Sequence, residues 1–273
     1  MIIQVRFFNV SERIEKSKSM GYNDIYTHDL WINKNINYMF NQEIIEYDIE
    51  SAGLNLAIKF QLLPEEVCEE LKSLKKEDRV VKLGLLQKND NELKNKLKEA
   101  FVNIRKLFFE KNELDLSNVI SIKKDAVFVT KECKHTTFDN VKFRPKHTFT
   151  SYILLGRLEC YYNQEELVIK GMNERELQYH QDYMLTLIRR FFYKMETGSK
   201  EDCLRFITSF INRYKRKELD IEYYKEFKAG GTFRMLDRRD ENVYPDFPKE
   251  RIDEVDISYN FLHILCQLAL IAL

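Results

Sequence analysis

The sequence predicts an α+β protein in which a mainly antiparallel sheet packs on helices and a helical region forms the C-terminal part. Three observations support this prediction. Short β-branched runs recur between positions 119 and 170, and long amphipathic segments occupy 91–111 and 174–217. The order of elements is strand, helices, hairpin, further strands and then helices, which is typical of an α+β chain. With 273 residues, 44% of them apolar, the chain is long enough to bury a sizeable core.

The first half of the chain has two predicted strands and a group of helices. Residues 2–10 and 44–49 have the apolar, β-branched character of strands, and 54–60 has helical periodicity. Pro64 stands at the first turn of the next predicted helix, where its missing N–H is tolerated. Apolar residues recur every three or four positions through 91–111, which predicts a long helix.

After Asn112 the spacing of apolar residues changes to that of strands. Residues 119–123 and 126–130 alternate around Lys124-Asp125, which predicts a β-hairpin with Asp125 at or beside its turn. Further strands are predicted at 141–143, 148–155, 157–162 and 166–170.

The C-terminal third is predicted to be mainly helical. Residues 174–196 and 200–217 are amphipathic, and Gly198 marks the joint between them. Glycines and prolines in a polar context predict loops over 228–250. The apolar run 261–273 is too short to span a bilayer and predicts a packed terminal helix, so no membrane association is expected.

Composition leaves nucleic acid open as a partner and indicates a reducing compartment. The 44 basic residues balance 44 acidic ones, and a neutral chain still binds nucleic acid when its lysines gather on one face. Five widely spaced cysteines without a Cys-x-x-Cys pair predict a cytoplasmic chain rather than a disulfide scaffold. Gln4 and Arg6 interrupt the N-terminal apolar run, so no signal peptide is expected. High Lys, Asn and Ile usage suggests a bacteriophage source and therefore the host cytoplasm.

Two aspartates stand at the ends of predicted strands. Asp48 lies near the end of 44–49, and Asp125 lies at the hairpin turn. Two such carboxylates on neighbouring strands bind divalent cations, and paired ions hold the attacking and leaving oxygens in two-metal phosphoryl transfer. The sequence therefore predicts a Mg²⁺ or Mn²⁺ site if the two strands are neighbours.

Three segments resemble the palm of family B DNA polymerases. Asp48-Ile49-Glu50-Ser51-Ala52-Gly53-Leu54-Asn55 is similar to the strand that ends in a metal-binding Asp and enters a helix. Lys123-Lys124-Asp125-Ala126 is similar to the hairpin that carries the second metal ligand, and Glu166-Leu167-Val168-Ile169-Lys170-Gly171-Met172 is similar to the passage from palm to thumb. The resemblance covers residues 44–217. It implies a palm-like α+β domain over 1–172 with a reduced helical fingers-like insertion at about 54–111, and a mainly helical thumb-like region over 173–273.

The chain departs from that family in four respects. Gly53 stands where the family has a tyrosine under the incoming sugar, so discrimination against a 2′-hydroxyl is expected to be weak. Lys123 stands where the family has the first aspartate of the hairpin. The short interval between Asp48 and Asp125 leaves little room for fingers, and the exonuclease domain is absent from this chain. The resemblance thus implies a minimal polymerase, one subunit of a split polymerase, or a palm with another role.

The first functional hypothesis is nucleotidyl transfer to a primer 3′-hydroxyl. The resemblance implies that Asp48, Asp125 and the backbone carbonyl of Ile49 hold Mg²⁺ or Mn²⁺, with nucleic acid and nucleoside triphosphates as partners. Basic residues that would contact phosphates are Lys82, Lys88, Lys124, Lys170, Arg213 and Arg216. Of these, Lys82 or Lys88 would meet the triphosphate.

Two further hypotheses remain open. Asp48-Ile49-Glu50 fits the Asp-x-Glu that opens a ribonuclease H-like 3′–5′ exonuclease site, with Asp139 and Asp182 as further ligands. The helical pattern that follows at once disagrees with that fold. The other hypothesis is a non-catalytic subunit of a replication or transcription assembly, which the missing tyrosine at Gly53 favours.

Overall fold

The computed structural model describes residues 24–156, 158–171, 174–228, 232–235, 252–253, 257 and 259–273. The predicted strand at 2–10 lies outside these residues, as does most of the predicted loop region 228–250. Within the described part, the protein is α+β with antiparallel sheets and a C-terminal helix, as predicted.

The described strands, in chain order, are β1 (Leu30–Ile32), β2 (Tyr38–Met39), β3 (Ile44–Ile49), β4 (Val119–Lys123), β5 (Ala126–Val129), β6 (Thr137–Phe138), β7 (Val141–Phe149), β8 (Ser151–Leu155), β9 (Leu158–Tyr162), β10 (Leu167–Lys170), β11 (Lys225–Lys228) and β12 (Thr232–Met235). The described α-helices are α1 (Ala52–Lys59), α2 (Glu65–Ser73), α3 (Lys76–Asn89), α4 (Asn91–Asn112), α5 (Glu174–Thr197), α6 (Lys200–Lys215) and α7 (Tyr259–Ala272). Short 3₁₀ turns occupy Ile25–Thr27 and Ile221–Tyr224.

The chain forms two compact units. Of the described residues, one unit comprises 24–34 together with 44–148, and the other comprises 35–43 together with the described part of 149–273. The expected palm-like, fingers-like and thumb-like regions stay predictions. Their expected ranges are 1–172, 54–111 and 173–273.

The first unit is built on a six-stranded sheet with the order β1-β4-β5-β3-β7-β6. Helices cover one face of this sheet. Ile45, Tyr47 and Ile49 of β3 belong to a buried cluster that also contains residues of α1 and α4. Phe108 of α4 stacks on Phe143 of β7, with ring centroids 4.1 Å apart. The amphipathic face predicted for 91–111 is therefore the face that packs on the sheet.

Helix α3 lies within the region 54–111 that is expected to be helical, but the sequence predicts no separate helix at 76–89. Its apolar residues do not form one stripe, because Leu83 is buried whereas Val80, Val81 and Leu85 are more than half exposed. Helical periodicity can be recognised in a sequence when one whole face of the helix is buried. In α3 only a narrow part of the surface is buried, so the apolar residues show no clear period. Asp90 separates α3 from α4 and accepts a hydrogen bond from the amide of Leu93 at 3.0 Å, which caps α4.

The second unit contains a four-stranded sheet with the order β10-β9-β8-β2, the hairpin of β11 with β12, and helices α5, α6 and α7. Its core joins apolar residues of the sheet with residues of the three helices, including Ile153, Phe192, Ile207 and Leu268. The strands at 225–228 and 232–235 replace part of the loop predicted from residue 228 onward. Among the described residues, no helix combines the length and the apolar character that crossing a bilayer requires.

Candidate active site

Alternation along β3 places Asp48 on the sheet face opposite the helical core. Ile45, Tyr47 and Ile49 are buried in that core. Because successive side chains of a strand point to opposite faces, the carboxylate of Asp48 lies on the other face. Its side chain is 30% exposed, so a ligand in solution can reach it.

Asp125 lies in the two-residue turn that joins β4 to β5, as predicted. Lys124, the other turn residue, adopts a φ of 50°, and tight hairpins require a positive φ at this position. The amide of Ile49 donates a hydrogen bond to the carbonyl oxygen of Asp125 at 2.9 Å, and Asp48 pairs with Ala126. Hydrogen bonds between β3 and the hairpin therefore fix the two aspartates as near neighbours.

Helix α4 braces the hairpin turn through a buried arginine. The side chain of Arg105 is fully buried, and its Nε donates to the carbonyl oxygen of Tyr26 at 2.8 Å. Its terminal nitrogens donate to the Lys124 carbonyl oxygen and to Oδ1 of Asp29. Burial lowers the pKa of Arg105, while the hydrogen bond and charge of Asp29 oppose that shift. This arrangement holds the turn that presents Asp125.

Asp48 and Asp125 line the same cleft, which has a volume of about 640 Å³. One side is formed by the connection from β3 into α1, and another by one face of α3. The remaining charged side chains that line it are Glu50, Lys76, Arg79, Lys124, Arg144 and Lys146. The cleft therefore combines carboxylates with five basic groups, a combination suited to a ligand that brings both metal ions and phosphates.

Two basic residues of β7 pair with the carboxylates of β3. Nζ of Lys146 lies 3.4 Å from Oδ2 of Asp48, and Nη2 of Arg144 lies 2.7 Å from Oε2 of Glu50. These four side chains are all partly exposed, so the pairs are rearrangeable contacts rather than buried salt bridges.

The charges in the cleft shift the pKa of two groups. Desolvation among the surrounding protein atoms raises the pKa of Asp125, and the negative charge of Asp48 raises it further, against the opposing charges of Lys124 and Lys146. Partial burial lowers the pKa of Lys146, but the negative charges of Asp48, Glu46 and Asp125 outweigh this and leave it raised. Asp48 and Asp125 thus interact electrostatically, as a shared cation site requires.

The donor set fits Mg²⁺ or Mn²⁺ only if the substrate completes it. The described side chains include no group of three or more His, Cys, Asp and Glu residues arranged to hold a metal ion. Mg²⁺, however, is commonly bound by one or two carboxylates together with waters and substrate phosphates. Asp48, Ile49 and Asp125 line the cleft, and the two carboxylates match that smaller set.

The structure brings together some of the predicted phosphate-binding residues and not others. Lys124 lines the cleft, and its Nζ lies 5.1 Å from the ring centroid of Phe101. Lys82 pairs with Glu70, and neither it nor Lys88 lines the cleft. Their places are taken by Lys76 and Arg79, which share with Val80, Leu83 and Gln87 the helical spacing of one α3 face. That spacing is visible in the sequence, but only the fold shows which face meets the cleft.

The other predicted phosphate contacts belong to the second unit. Lys170 is the last residue of β10. Arg213 and Arg216 line a groove of about 530 Å³ along α6, together with Arg205. Nη2 of Arg213 donates to the carbonyl oxygen of Glu218 at 3.2 Å.

Of the described residues of the exonuclease hypothesis, Glu50 lies in the cleft with Asp48, and Asp139 lies outside it. Glu50 lines the cleft and pairs with Arg144. Asp139 lies in the turn before β7, where it is 81% exposed, pairs with Lys59 and does not line the cleft. Asp182 belongs to the stretch of α5 whose side chains lie outside the described part.

Gly53 leaves room for a residue of α3. A Cβ atom at position 53 would clash with Cδ2 of Leu83, so the absence of a side chain allows α3 to pack closely on the start of α1. Both residues line the cleft. The space beside Gly53 is therefore filled from α3 by the aliphatic side chain of Leu83.

Comparison with known protein families shows which family the chain belongs to. The family described as the bacteriophage PBS1 gene 130 protein matches residues 20–270. The chain therefore belongs to that family, which supports a bacteriophage source. No curated protein matches the chain.

Proposed function

We propose that this member of the phage PBS1 gene 130 family transfers nucleotidyl groups from nucleoside triphosphates to the 3′-hydroxyl of a nucleic acid, with Asp48 and Asp125 as metal ligands. One observation carries the proposal. Two carboxylates that are far apart in the sequence line one cleft that is also rich in basic groups. Bound Mg²⁺ or Mn²⁺ would supply activation of the hydroxyl and neutralisation of the leaving pyrophosphate.

The protein residues around this site have separate roles in the proposal. Asp48 and Asp125 hold the ions, and the carbonyl of Ile49 is a further ligand. Lys76, Arg79 and Lys124 bind the phosphates of the triphosphate, because cationic side chains around such a cleft attract and orient polyphosphates. The cleft volume of about 640 Å³ lies within the range of small-molecule sites.

The polymerase interpretation rests on the order of elements as well as on the aspartates. A strand with Asp48, a set of helices, a hairpin with Asp125 and a C-terminal helical region follow one another as in the palm and thumb of family B DNA polymerases. The chain would act as a minimal polymerase or as one subunit of a split enzyme. Lys170, Arg213 and Arg216 of the second unit would contact the nucleic-acid backbone.

Primer extension by the purified full chain tests the proposal. A labelled primer–template is incubated with Mg²⁺ or Mn²⁺ and with either deoxynucleotides or ribonucleotides. We expect extension, and a loss of more than about 100-fold in Asp48→Asn and in Asp125→Asn, since each removes a metal ligand. Asp139→Asn is the matched control, because Asp139 is also a turn aspartate but lies outside the cleft. Unchanged extension by either cleft variant would refute the assigned roles.

A 3′–5′ exonuclease is a second candidate, which the presence of Glu50 beside Asp48 in the cleft favours. The same reactions without nucleotides reveal it as primer shortening that Glu50→Gln abolishes. Extension that survives Glu50→Gln would favour the polymerase. If the wild-type chain neither extends nor shortens a primer, the non-catalytic subunit becomes the better explanation, and the nucleotidyl-transfer proposal for the isolated chain is wrong.

A further inference from the structure

We propose that the ammonium group of Lys146 occupies the place of a divalent cation beside Asp48 and must be displaced when a metal ion binds. Lys146 would thus restrain the metal affinity of the cleft. The inference rests on the proposed function, because it concerns the same pair of carboxylates.

The position of Lys146 supports this role. Its Nζ lies 3.4 Å from Oδ2 of Asp48, and its side chain lines the cleft that Asp125 also lines. The negative charges of Glu46 and Asp125 act on the same ammonium group. A single positive charge near several carboxylates partly neutralises the negative charge that would otherwise attract a divalent ion.

Two other basic groups of the cleft, both close to the carboxylates in the sheet, have partners other than Asp48. Arg144 is paired with Glu50 at 2.7 Å, and Nζ of Lys124 lies over the ring of Phe101. Among the ion pairs of the described residues, Lys146 is the partner of Asp48. Competition with an incoming cation therefore falls on this lysine.

Lys146 is also able to leave. Its side chain is 49% exposed and that of Asp48 is 30% exposed, so the pair is well solvated. Partly exposed pairs of this kind contribute little to stability, and lysine carries its charge on a flexible four-carbon stem. A metal ion displaces such a group easily, but the positive charge of Lys146 competes with the ion for Asp48 and so lowers the affinity of the cleft for the metal.

Binding of Mn²⁺ alone tests the inference without any need for catalysis. The free ion is measured by electron paramagnetic resonance during titration of the wild-type chain and of Lys146→Gln. We expect Lys146→Gln to bind Mn²⁺ about two- to fivefold more tightly, the factor that corresponds to a partly exposed ion pair. Lys142→Gln is the matched control, because Lys142 lies on the same strand, is exposed and does not line the cleft. It removes the same charge and should leave the affinity nearly unchanged.

Asp48→Asn shows whether the effect passes through Asp48. In an Asp48→Asn background, Lys146→Gln should no longer increase the residual Mn²⁺ affinity. Equal or weaker binding by Lys146→Gln, with wild-type binding that depends on Asp48 and Asp125, would overturn the inference and leave the proposed function intact. Absence of saturable Mn²⁺ binding that depends on those aspartates, in both the wild type and Lys146→Gln, would overturn the inference, whereas the primer-extension assay decides on the proposed function, in which the substrate completes the metal site.

Discussion

Arg105 donates a hydrogen bond from Nη1 to the carbonyl oxygen of Lys124 at 2.6 Å, and so joins the middle of helix α4 to the hairpin turn. The same guanidinium bonds to Tyr26 and Asp29. Arg105 is thus a positioning residue for Asp125, since it holds the turn without lining the cleft itself.

Arg105→Met should destabilise the first unit by about 2–4 kcal/mol, because the substitution leaves the partners of a buried cation without their hydrogen bonds. The free energy of unfolding in urea measures the effect. Lys106→Met is the control, because Lys106 is exposed on the same helix and forms a weak i,i+4 pair with Glu110. Its effect should stay within about 0.5 kcal/mol. Equal stabilities of the two variants would contradict the bracing role of Arg105.

Asp125→Asn should make the protein more stable at neutral pH while it removes activity. The raised pKa of Asp125 means that folding disfavours its charged form. The protonated side chain therefore stabilises the folded state at low pH, and this stabilisation is lost as pH rises through the folded-state pKa. Because the side chain is exposed, the gain is small, about 2 °C in Tm. The difference from wild type should shrink as pH falls toward the ordinary carboxyl value of 3.8. Asp139→Asn should give no such increase.

Gly53→Ala and Leu83→Ala should compensate each other. A methyl group at position 53 clashes with Leu83, and we expect a cost of about 1 kcal/mol as Leu83 moves. Leu83→Ala alone should cost about 2–3 kcal/mol through lost burial. In the double variant the new methyl enters the vacated space, so the combined cost should fall below the sum by at least about 0.5 kcal/mol. Strict additivity in urea unfolding would show that α1 and α3 do not meet at this point.

Native protein should show one fast-reacting thiol. Cys266 is exposed on α7, whereas Cys68, Cys133, Cys160 and Cys203 are buried. Burial raises the pKa of Cys133 and of Cys160 to about 12, which leaves little reactive thiolate at pH 8. Titration with a chromogenic disulfide before and after unfolding counts the exposed, fast-reacting thiol and the buried thiols separately. Cys266→Ser should remove the fast phase, and a fast phase that persists would show that a buried thiol is accessible.

Local sequence signals account for the elements that carry the two aspartates. The β-branched run at 44–49 and the alternation on both sides of Lys124-Asp125 predicted β3 and the hairpin, and the structure confirms both. These signals suffice because strand and turn preferences are set by neighbouring residues. Gly53, by contrast, could be noted as unusual in the sequence, but its packing against Leu83 depends on the bounds and orientation of α3, which no local pattern specifies.

The parts of the site that escaped prediction depend on contacts between distant segments. The pairing of Lys146 with Asp48 follows from the position of β7 beside β3, which no local pattern specifies. Arg105 lies in the amphipathic segment 91–111, and no local pattern marks its charged side chain as one that is fully buried in the fold. Likewise, tertiary packing decides that the face of α3 with Lys76 and Arg79, rather than Lys82, meets the cleft.

The hydrogen bond from the Ile49 amide to the carbonyl of Asp125 ties the geometry of the cleft to the backbone of the sheet. Separation of the two backbone segments that carry Asp48 and Asp125 therefore requires opening of the sheet, and the exchange rate of this one amide hydrogen with solvent reports how often that happens. A slowly exchanging Ile49 amide would mean that the two aspartates stand ready before any substrate arrives. The affinity for a ligand would then be set by the contacts that the ligand makes, because no binding free energy would be lost in ordering the protein.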